Sequence, residues 1–143
     1  MAAPRLRYLE HTADLGFEID ADTLTDLFQC AAAGLFELLL GRQTASRAGT
    51  ATETTVLTLH LQAEEPGLLL AAWLRELLFW YETTGLRLAR SKFTVLTERE
   101  LAAELTGVPA GRAARREIKA VTYHQLFVRP HDGAWRARVI FDV

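Results

Sequence analysis

The residues of this chain best suited to chemistry lie near its two ends. Asp14 closes the segment His11-Thr12-Ala13-Asp14, and Asp142 stands next to Val143, the last of 143 residues. Asp142 and a terminal carboxylate bring two anionic groups within one residue of each other, and Asp14 adds a third if the fold brings the ends together. Such a cluster of oxygen atoms suits a hard divalent cation such as calcium. Left without a cation, the same charges would raise one another's pKa values.

Each of these residues also has a purely structural interpretation. Asp14 can cap a backbone amide in a turn, and His11 can be a hydrogen-bonded structural histidine. Asp142 can belong to a frayed terminus, although the strand pattern continues up to Val143 and favours an ordered end. No second histidine or cysteine stands at zinc-binding spacing from His11, so a zinc site is not expected.

Basic residues form a second candidate region. Lys119 begins an apolar-rich stretch, and strand alternation places it on the same face as Val121 and Tyr123. It is either a lysine at a sheet edge with its ammonium in water or a contact for a phosphate or a partner's carboxylate. The three arginines between residues 112 and 116 are either a solvated loop or an RNA or acidic-partner contact.

Common enzyme signatures are missing from the sequence. It contains no GxxxxGK[ST], GxGxxG or GxSxG motif. The single cysteine, Cys30, precedes three alanines and is interpreted as a small core residue. Glu76 either borders the apolar stripe of its helix, the interpretation favoured here, or approaches the acidic residues. The sequence therefore favours an accessory or binding role over catalysis.

Length and composition indicate one domain, residues 1–143. Half of the residues are apolar, about a quarter are charged, and the formal net charge is -2, which argues against bulk nucleic-acid binding by the whole surface. The N-terminus lacks the apolar core of a signal peptide. The most apolar run, 68–81, is too short and too charged to span a bilayer. A cytoplasmic protein without a membrane partner is expected.

Periodicity predicts an α+β domain in which two amphipathic helices pack on a mixed or antiparallel β-sheet. One helix spans 24–40, and the other begins at Pro66 and ends before Gly85. Strands are predicted at 5–9, 15–19, 51–63, 86–96, 98–105, 117–128 and 135–143. Loops are predicted at 42–50 and 106–116, and a hairpin turn at His131-Asp132-Gly133.

The last predicted strand has two different faces. Trp135, Ala137, Val139 and Phe141 alternate with Arg136, Arg138, Ile140 and Asp142. Because successive side chains of a strand point to opposite faces, Asp142 falls on the less apolar face. A ligand or solvent could reach it there.

Three sequence blocks together resemble the archease family. They are residues 8–16 (YLEHTADLG), 117–124 (EIKAVTYH) and 135–143 (WRARVIFDV). The resemblance covers essentially the whole chain, with the two helices between the first and second blocks. The loop 106–116, rich in alanine and arginine, departs from the family pattern, so no ligand is assigned to it.

The resemblance implies a specific function. Archeases activate the RtcB-type RNA ligase of tRNA splicing and RNA repair, promoting guanylylation of its active-site histidine and multiple turnover. They are not ligases themselves, and they reach tRNA or RNA only through the ligase. Carried over to this chain, the family's divalent-cation ligands, with calcium as the expected ion, are Asp14, Asp142 and Val143. The family's functional lysine is Lys119, and His11 is a further candidate contact for a partner or nucleotide.

Two other functions remain open from the residues. A chaperone-like or RNA-binding module without a ligase partner would use the basic stretch from Arg112 to Lys119 and bind RNA in a salt-sensitive way. A metal-dependent hydrolase would use Asp14 and Asp142 as ligands and His11 as the general base.

Overall fold

A computed structural model of the chain describes residues 3–10, 14–41, 53–111 and 116–143, with Asp14 described by its main chain only. In chain order the elements are β1 (Arg5–Glu10), β2 (Asp14–Ala21), α1 (Leu24–Leu40), β3 (Thr55–Gln62), α2 (Pro66–Thr84), β4 (Leu86–Leu96), β5 (Glu100–Pro109), β6 (Ala120–Val121), β7 (Phe127–His131) and β8 (Ala134–Asp142). The predicted loop 42–50 and the arginines at 112 and 115 lie outside the described residues.

The strands form two antiparallel sheets. The larger has the order β1-β2-β8-β6, and β7 pairs with the first half of β8 on the same edge as β6. The smaller has the order β3-β5-β4. The predicted α+β class with two helices is therefore confirmed, and every pair of described strands is antiparallel.

Local signals set the ends of both helices. The hydroxyl of Thr23 accepts a hydrogen bond from the Asp26 backbone N–H at 3.0 Å, which caps the start of α1. Pro66 occupies the first turn of α2, where its missing N–H costs nothing. Gly85 ends α2 with φ 74°, a left-handed conformation that glycine adopts without strain.

The core lies between the helices and the sheets, since each helix contacts strands of both sheets. Trp73, Phe17, Phe28 and Phe141 are the largest of its fully buried side chains. The indole N–H of Trp73 donates to the Phe28 carbonyl oxygen at 3.0 Å, so this buried polar group is satisfied. Burial of each such side chain stabilises the fold by roughly 1.5–3 kcal/mol. Among the described residues, no helix is long and apolar enough to cross a membrane.

The hairpin and the two faces of β8 agree with the sequence. Asp132 and Gly133 both have positive φ, 52° and 77°, as a two-residue turn of the I′ type requires. The inward residues Ala137, Val139 and Phe141 are fully buried, and Arg136 and Arg138 are half-buried on the outer face. Asp142 is exposed, as expected.

The strand predicted over 117–128 is wrong in most of its length. Ala120–Val121 pairs with β8, the chain then turns, with Gln125 at φ 53° and the Leu126 N–H donating to the Tyr123 carbonyl, and Phe127–Val128 begins the separate strand β7. A strand exists only where it has a partner, and β7 already occupies the edge of β8 beside Ala134–Arg138. The alternation that placed Lys119 with Val121 and Tyr123 fails for the same reason, since Val121 is buried and Tyr123 exposed.

The predicted loop 106–116 is also wrong at its start, because β5 continues to Pro109. Gly107 contributed to the loop prediction because glycine is common in turns. In the structure it lies inside β5, where its missing side chain lets Trp80 of α2 pack against the strand. A Cβ atom at this position would lie 2.5 Å from the indole ring of Trp80. Glycine is therefore needed inside the strand because α2 approaches the backbone there.

An ion network crosses the outer face of the larger sheet. Asp20 accepts from Arg136 Nε at 2.7 Å and from Arg7 Nη1 at 2.9 Å. Glu18 accepts from Arg138 Nε at 2.7 Å and from Arg7 Nη2 at 3.1 Å. The hydrogen bond from Arg136 is the main reason that the pKa of Asp20 falls to about 2. The network joins β1, β2 and β8 through their side chains.

The Asp20 carboxylate should make stability depend on pH. Its pKa falls from 3.8 to about 2 on folding, so its contribution is complete above pH 3.8 and is lost as the pH falls through about 2. We expect Asp20→Asn to lower the free energy of unfolding by about 1 kcal/mol at pH 6, as for a partly exposed ion pair, and to have little effect near pH 2. Urea titrations at both pH values test this, with Asp132→Asn as the control. An equal deficit at both pH values would contradict it.

Candidate functional site

The backbone brings the two sequence-predicted aspartates together. β2 and β8 are neighbouring antiparallel strands, and Asp14 is the direct cross-strand partner of Asp142. The two ends of the chain therefore meet at one end of the larger sheet, as the sequence hypothesis required. His11 lies outside the described residues.

Lys119 belongs to the same place through its main chain. Its N–H donates to the Asp142 carbonyl oxygen at 2.8 Å, and Ala120 pairs with Asp142 in the ladder. Thr122 adds two bonds to the Ile140 carbonyl oxygen, from its N–H at 3.0 Å and from its hydroxyl at 2.9 Å. These contacts hold the end of β8 from the side opposite β2, so Asp142 is fixed between two strands.

The end of the chain is ordered up to Asp142 and open to solvent. β8 includes Asp142, so the frayed-terminus interpretation does not apply to that residue. The Asp142 side chain is exposed, and Val143 is 41% exposed. The Lys119 side chain is exposed as well. These groups are accessible to an ion or to a partner surface.

The donor set fits a hard cation only in part. An exposed Asp142 carboxylate and the main-chain oxygens of Val143 are suitable ligands for calcium, whereas the Asp142 carbonyl oxygen already accepts from Lys119. Across the described ranges, no three His, Cys, Asp or Glu residues form a group that could hold a metal ion. This statement does not include His11 or the Asp14 side chain, which are not among the described groups, so the cation site remains a prediction.

A glycine and an isoleucine next to the aspartate pair were not recognised from the sequence. Gly16 pairs with Ile140, two positions further into the ladder from the Asp14–Asp142 pair and on the same face of the sheet. A Cβ at Gly16 would overlap the Val139 carbonyl oxygen and lie 2.9 Å from Ile140 Cδ1. Ile140 is only 4% exposed although its neighbours on this face are polar. An isoleucine on a face otherwise formed by Arg136, Arg138 and Asp142 could have indicated from the sequence that this position is buried.

We expect Gly16→Ala to disturb the ladder beside the aspartate pair. The added methyl group would force β2 away from β8, at a cost of about 1–3 kcal/mol, as for other overpacked sites. Thermal unfolding measures the loss. Gly67→Ala is the matched control, because its Cβ would meet only ordinary contacts at 3.6 Å. Equal melting temperatures for the two variants would contradict the packing role of Gly16.

The remaining residues singled out from sequence have structural roles or no described contact. Glu76 is exposed on α2, consistent with a border residue. Cys30 is partly buried, and burial raises the pKa of its thiol to about 11, which keeps the sulfur protonated and poorly reactive. Arg116 is exposed, and its N–H donates to the Leu39 carbonyl oxygen at 3.2 Å.

Comparison with known proteins places nearly the whole chain in one family. The model of the Archease protein family matches residues 6–143. The protein archease of Methanosarcina mazei is 32% identical over 146 residues, which cover 97% of this chain and 96% of that protein. The protein archease of Methanothermobacter thermautotrophicus is 32% identical over 142 residues, covering 95% and 96%.

Two solved structures share the architecture. The solution structure of Methanobacterium thermoautotrophicum protein 1598 superposes with a TM-score of 0.68 at 30% identity and covers 96% of this chain and 98% of its own. The crystal structure of an archease, described as a possible chaperone, from Thermotoga maritima gives a TM-score of 0.63 at 23% identity and covers 94% of each chain. The second likeness bears on the fold alone.

Proposed function

The chain belongs to the archease family, and on that premise we propose that it activates an RtcB-type RNA ligase in tRNA splicing and RNA repair. It promotes guanylylation of the ligase's active-site histidine and lets the ligase turn over repeatedly. It acts as a protein cofactor with no catalytic step of its own, works in the cytoplasm, and contacts tRNA or RNA only through the ligase.

One observation carries the proposal: Asp14 and Asp142 are direct partners in the β2–β8 ladder. Cross-strand partners of an antiparallel pair share one face of the sheet, with Cβ atoms typically about 4.5–5.5 Å apart. Two carboxylates at that spacing repel each other unless a cation lies between them. A pair of aspartates that holds a cation could therefore enter the active site of a ligase, where nucleotide phosphates and metal are bound.

In this proposal Asp14, Asp142 and the main-chain oxygens of Val143 hold a divalent cation, with calcium as the expected ion. These are oxygen donors, which calcium prefers. When bound, the cation supplies the positive charge that neutralises the aspartates and attracts phosphate oxygens. We call these three residues the acidic tip. The hydrogen bonds from Lys119 and Thr122 orient the tip by fixing the last residues of β8.

Lys119 adds a mobile positive charge beside the tip. Its main chain is tied to Asp142, while its exposed side chain remains free to turn toward a partner. An ammonium in this position can steady a phosphate or a carboxylate of the ligase as the tip enters the active-site cleft. The activator thereby helps to align the nucleotide for attack by the ligase histidine.

Guanylylation of a cognate ligase tests the proposal directly. The purified ligase is incubated with labelled GTP, with and without this protein, and covalent ligase–GMP is followed over time. We expect faster guanylylation and more than one ligation per ligase molecule when the protein is present. Equal rates with and without it would overturn the activator role.

The rival RNA-binding function predicts a different result. It requires salt-sensitive binding of RNA by the isolated protein, because phosphate contacts release counterions. Filter binding of a tRNA fragment in low and high salt measures this. Tight, salt-sensitive binding together with no effect on the ligase would favour the rival.

A further inference from the structure

Helix α2 carries an exposed stripe that no other described segment of the chain covers. Leu68, Arg75, Phe79 and Glu82 follow one another at spacings of seven, four and three residues, which places them on one side of the helix. Phe79 is 63% exposed and Leu68 is 37% exposed. The opposite side of α2, including Trp73 and Leu77, is fully buried. Large apolar side chains left in water on a helix with a separate buried face suggest a contact surface.

An exposed tyrosine extends this stripe beyond the helix. Tyr123 follows β6 and is 62% exposed. The guanidinium carbon of Arg75 lies 5.0 Å from the centre of the Tyr123 ring, within the range of a cation–π contact. This contact favours one arrangement of the two side chains while leaving both of them exposed.

Lys119 connects the stripe to the acidic tip. A shallow cleft of about 230 Å³ is lined by Lys119 together with Arg75, Phe79 and Glu82. The main-chain N–H of the same Lys119 donates to the Asp142 carbonyl oxygen. The α2 stripe and the end of β8 are therefore neighbouring parts of one surface.

We infer that Arg75, Phe79 and Tyr123 dock on the ligase and thereby place the acidic tip in its active-site cleft; this inference rests on the proposed function. The partner surface offers an apolar pocket for Phe79 and a carboxylate opposite Arg75 and Lys119. Aromatic residues and arginine are enriched in the cores of protein interfaces and supply most of their binding energy.

The charges of this surface favour a protein partner over RNA. Glu82 lines the same cleft as Arg75 and Lys119, and the exposed Glu76 adjoins Arg75 in sequence. Among the described residues of this surface, two carboxylates balance two cations and leave no excess positive charge for a phosphate backbone, whose binding depends on such an excess. A mixed surface with central aromatic groups is instead complementary to a protein surface of mixed charge.

Binding of the full-length variants to immobilised cognate ligase tests the inference. We expect Phe79→Ser and Arg75→Glu each to weaken the dissociation constant at least about tenfold, as for hot-spot residues. Melting temperatures and calcium titrations of the free proteins should stay at wild-type values, because these side chains are exposed and outside the tip. Val95→Ser and Arg90→Glu, exposed on the smaller sheet, are matched controls and should bind like wild type.

The outcomes separate this inference from the proposed function. If wild type stimulates guanylylation and Phe79→Ser and Arg75→Glu bind the ligase like wild type, the docking surface is wrong and the activator role stands. If those two variants lose binding to a single-stranded RNA oligonucleotide but not to the ligase, the surface is an RNA contact and the inference is overturned. If wild type neither binds nor stimulates the ligase, both proposals fail.

Discussion

Asp142→Asn is expected to reduce stimulation of ligase guanylylation to the level of the ligase alone. The substitution removes the negative charge but keeps the size of the side chain and the hydrogen bond from Lys119 to the main-chain oxygen. Calcium affinity of the free protein should fall by more than about tenfold, since even the loss of an outer-shell partner costs a metal site that much. Single-turnover guanylylation and calorimetric calcium titration measure the two effects.

Asp14→Asn should have the same effect, and the double variant should be no worse than either single one, because the two carboxylates act on one ion. Asp132→Asn is the control. Its side chain is 90% exposed in the hairpin turn at the other end of β8, and asparagine tolerates its positive φ. Wild-type stimulation by Asp142→Asn would remove the acidic tip from the mechanism.

Trp73→Ala should be among the most destabilising single substitutions. The side chain is fully buried, packs against Phe93 with ring centres 5.2 Å apart, and donates to the Phe28 carbonyl oxygen. Its removal leaves a large cavity, and we expect a loss of about 3–5 kcal/mol, a large fraction of the 5–15 kcal/mol typical of domains. Urea unfolding followed by circular dichroism measures this loss.

Phe79→Ala on the same helix is the matched control, with an expected change within about 0.5 kcal/mol because Phe79 is exposed. If Trp73→Ala does not fold, Trp73→Phe provides the test, since it removes the indole hydrogen bond to the Phe28 carbonyl oxygen at a cost of about 0.5–1.5 kcal/mol, in addition to the packing lost with the smaller ring. Equal losses for Trp73→Phe and Phe79→Ala would show that this part of the core is not as tightly packed as the structure indicates.

The features predicted correctly from sequence depend on residues close together in the chain. The bounds of α1, 24–40, agree because Thr23 and Gly41 act within one helical turn. The hairpin turn agrees because Asp132 and Gly133 adopt the required positive φ values themselves. The two faces of β8 agree because alternation is a property of any strand with one buried side.

The features missed depend on distant partners. Residues 123–126 were predicted to continue a strand, but β7 occupies the edge of β8 along Ala134–Arg138, where such a strand would run. Gly107 resembles a loop residue until Trp80 packs against it. The division into two sheets follows from strand pairings distant along the chain, which periodicity does not specify. The exposed stripe on α2 was missed because a phenylalanine such as Phe79 is usually buried, and the sequence alone does not show that this one is exposed.

For the candidate site, the charged groups Asp14, Asp142 and Lys119 could be identified from the sequence, since each lies in or beside a predicted strand. Their placement could not, because the pairing of Asp14 with Asp142 and the hydrogen bond from the Lys119 N–H to the Asp142 carbonyl oxygen depend on how the strands align. A shift of one residue between β2 and β8 would turn the aspartates to opposite faces of the sheet, and that register is set by the buried side chains of the whole ladder.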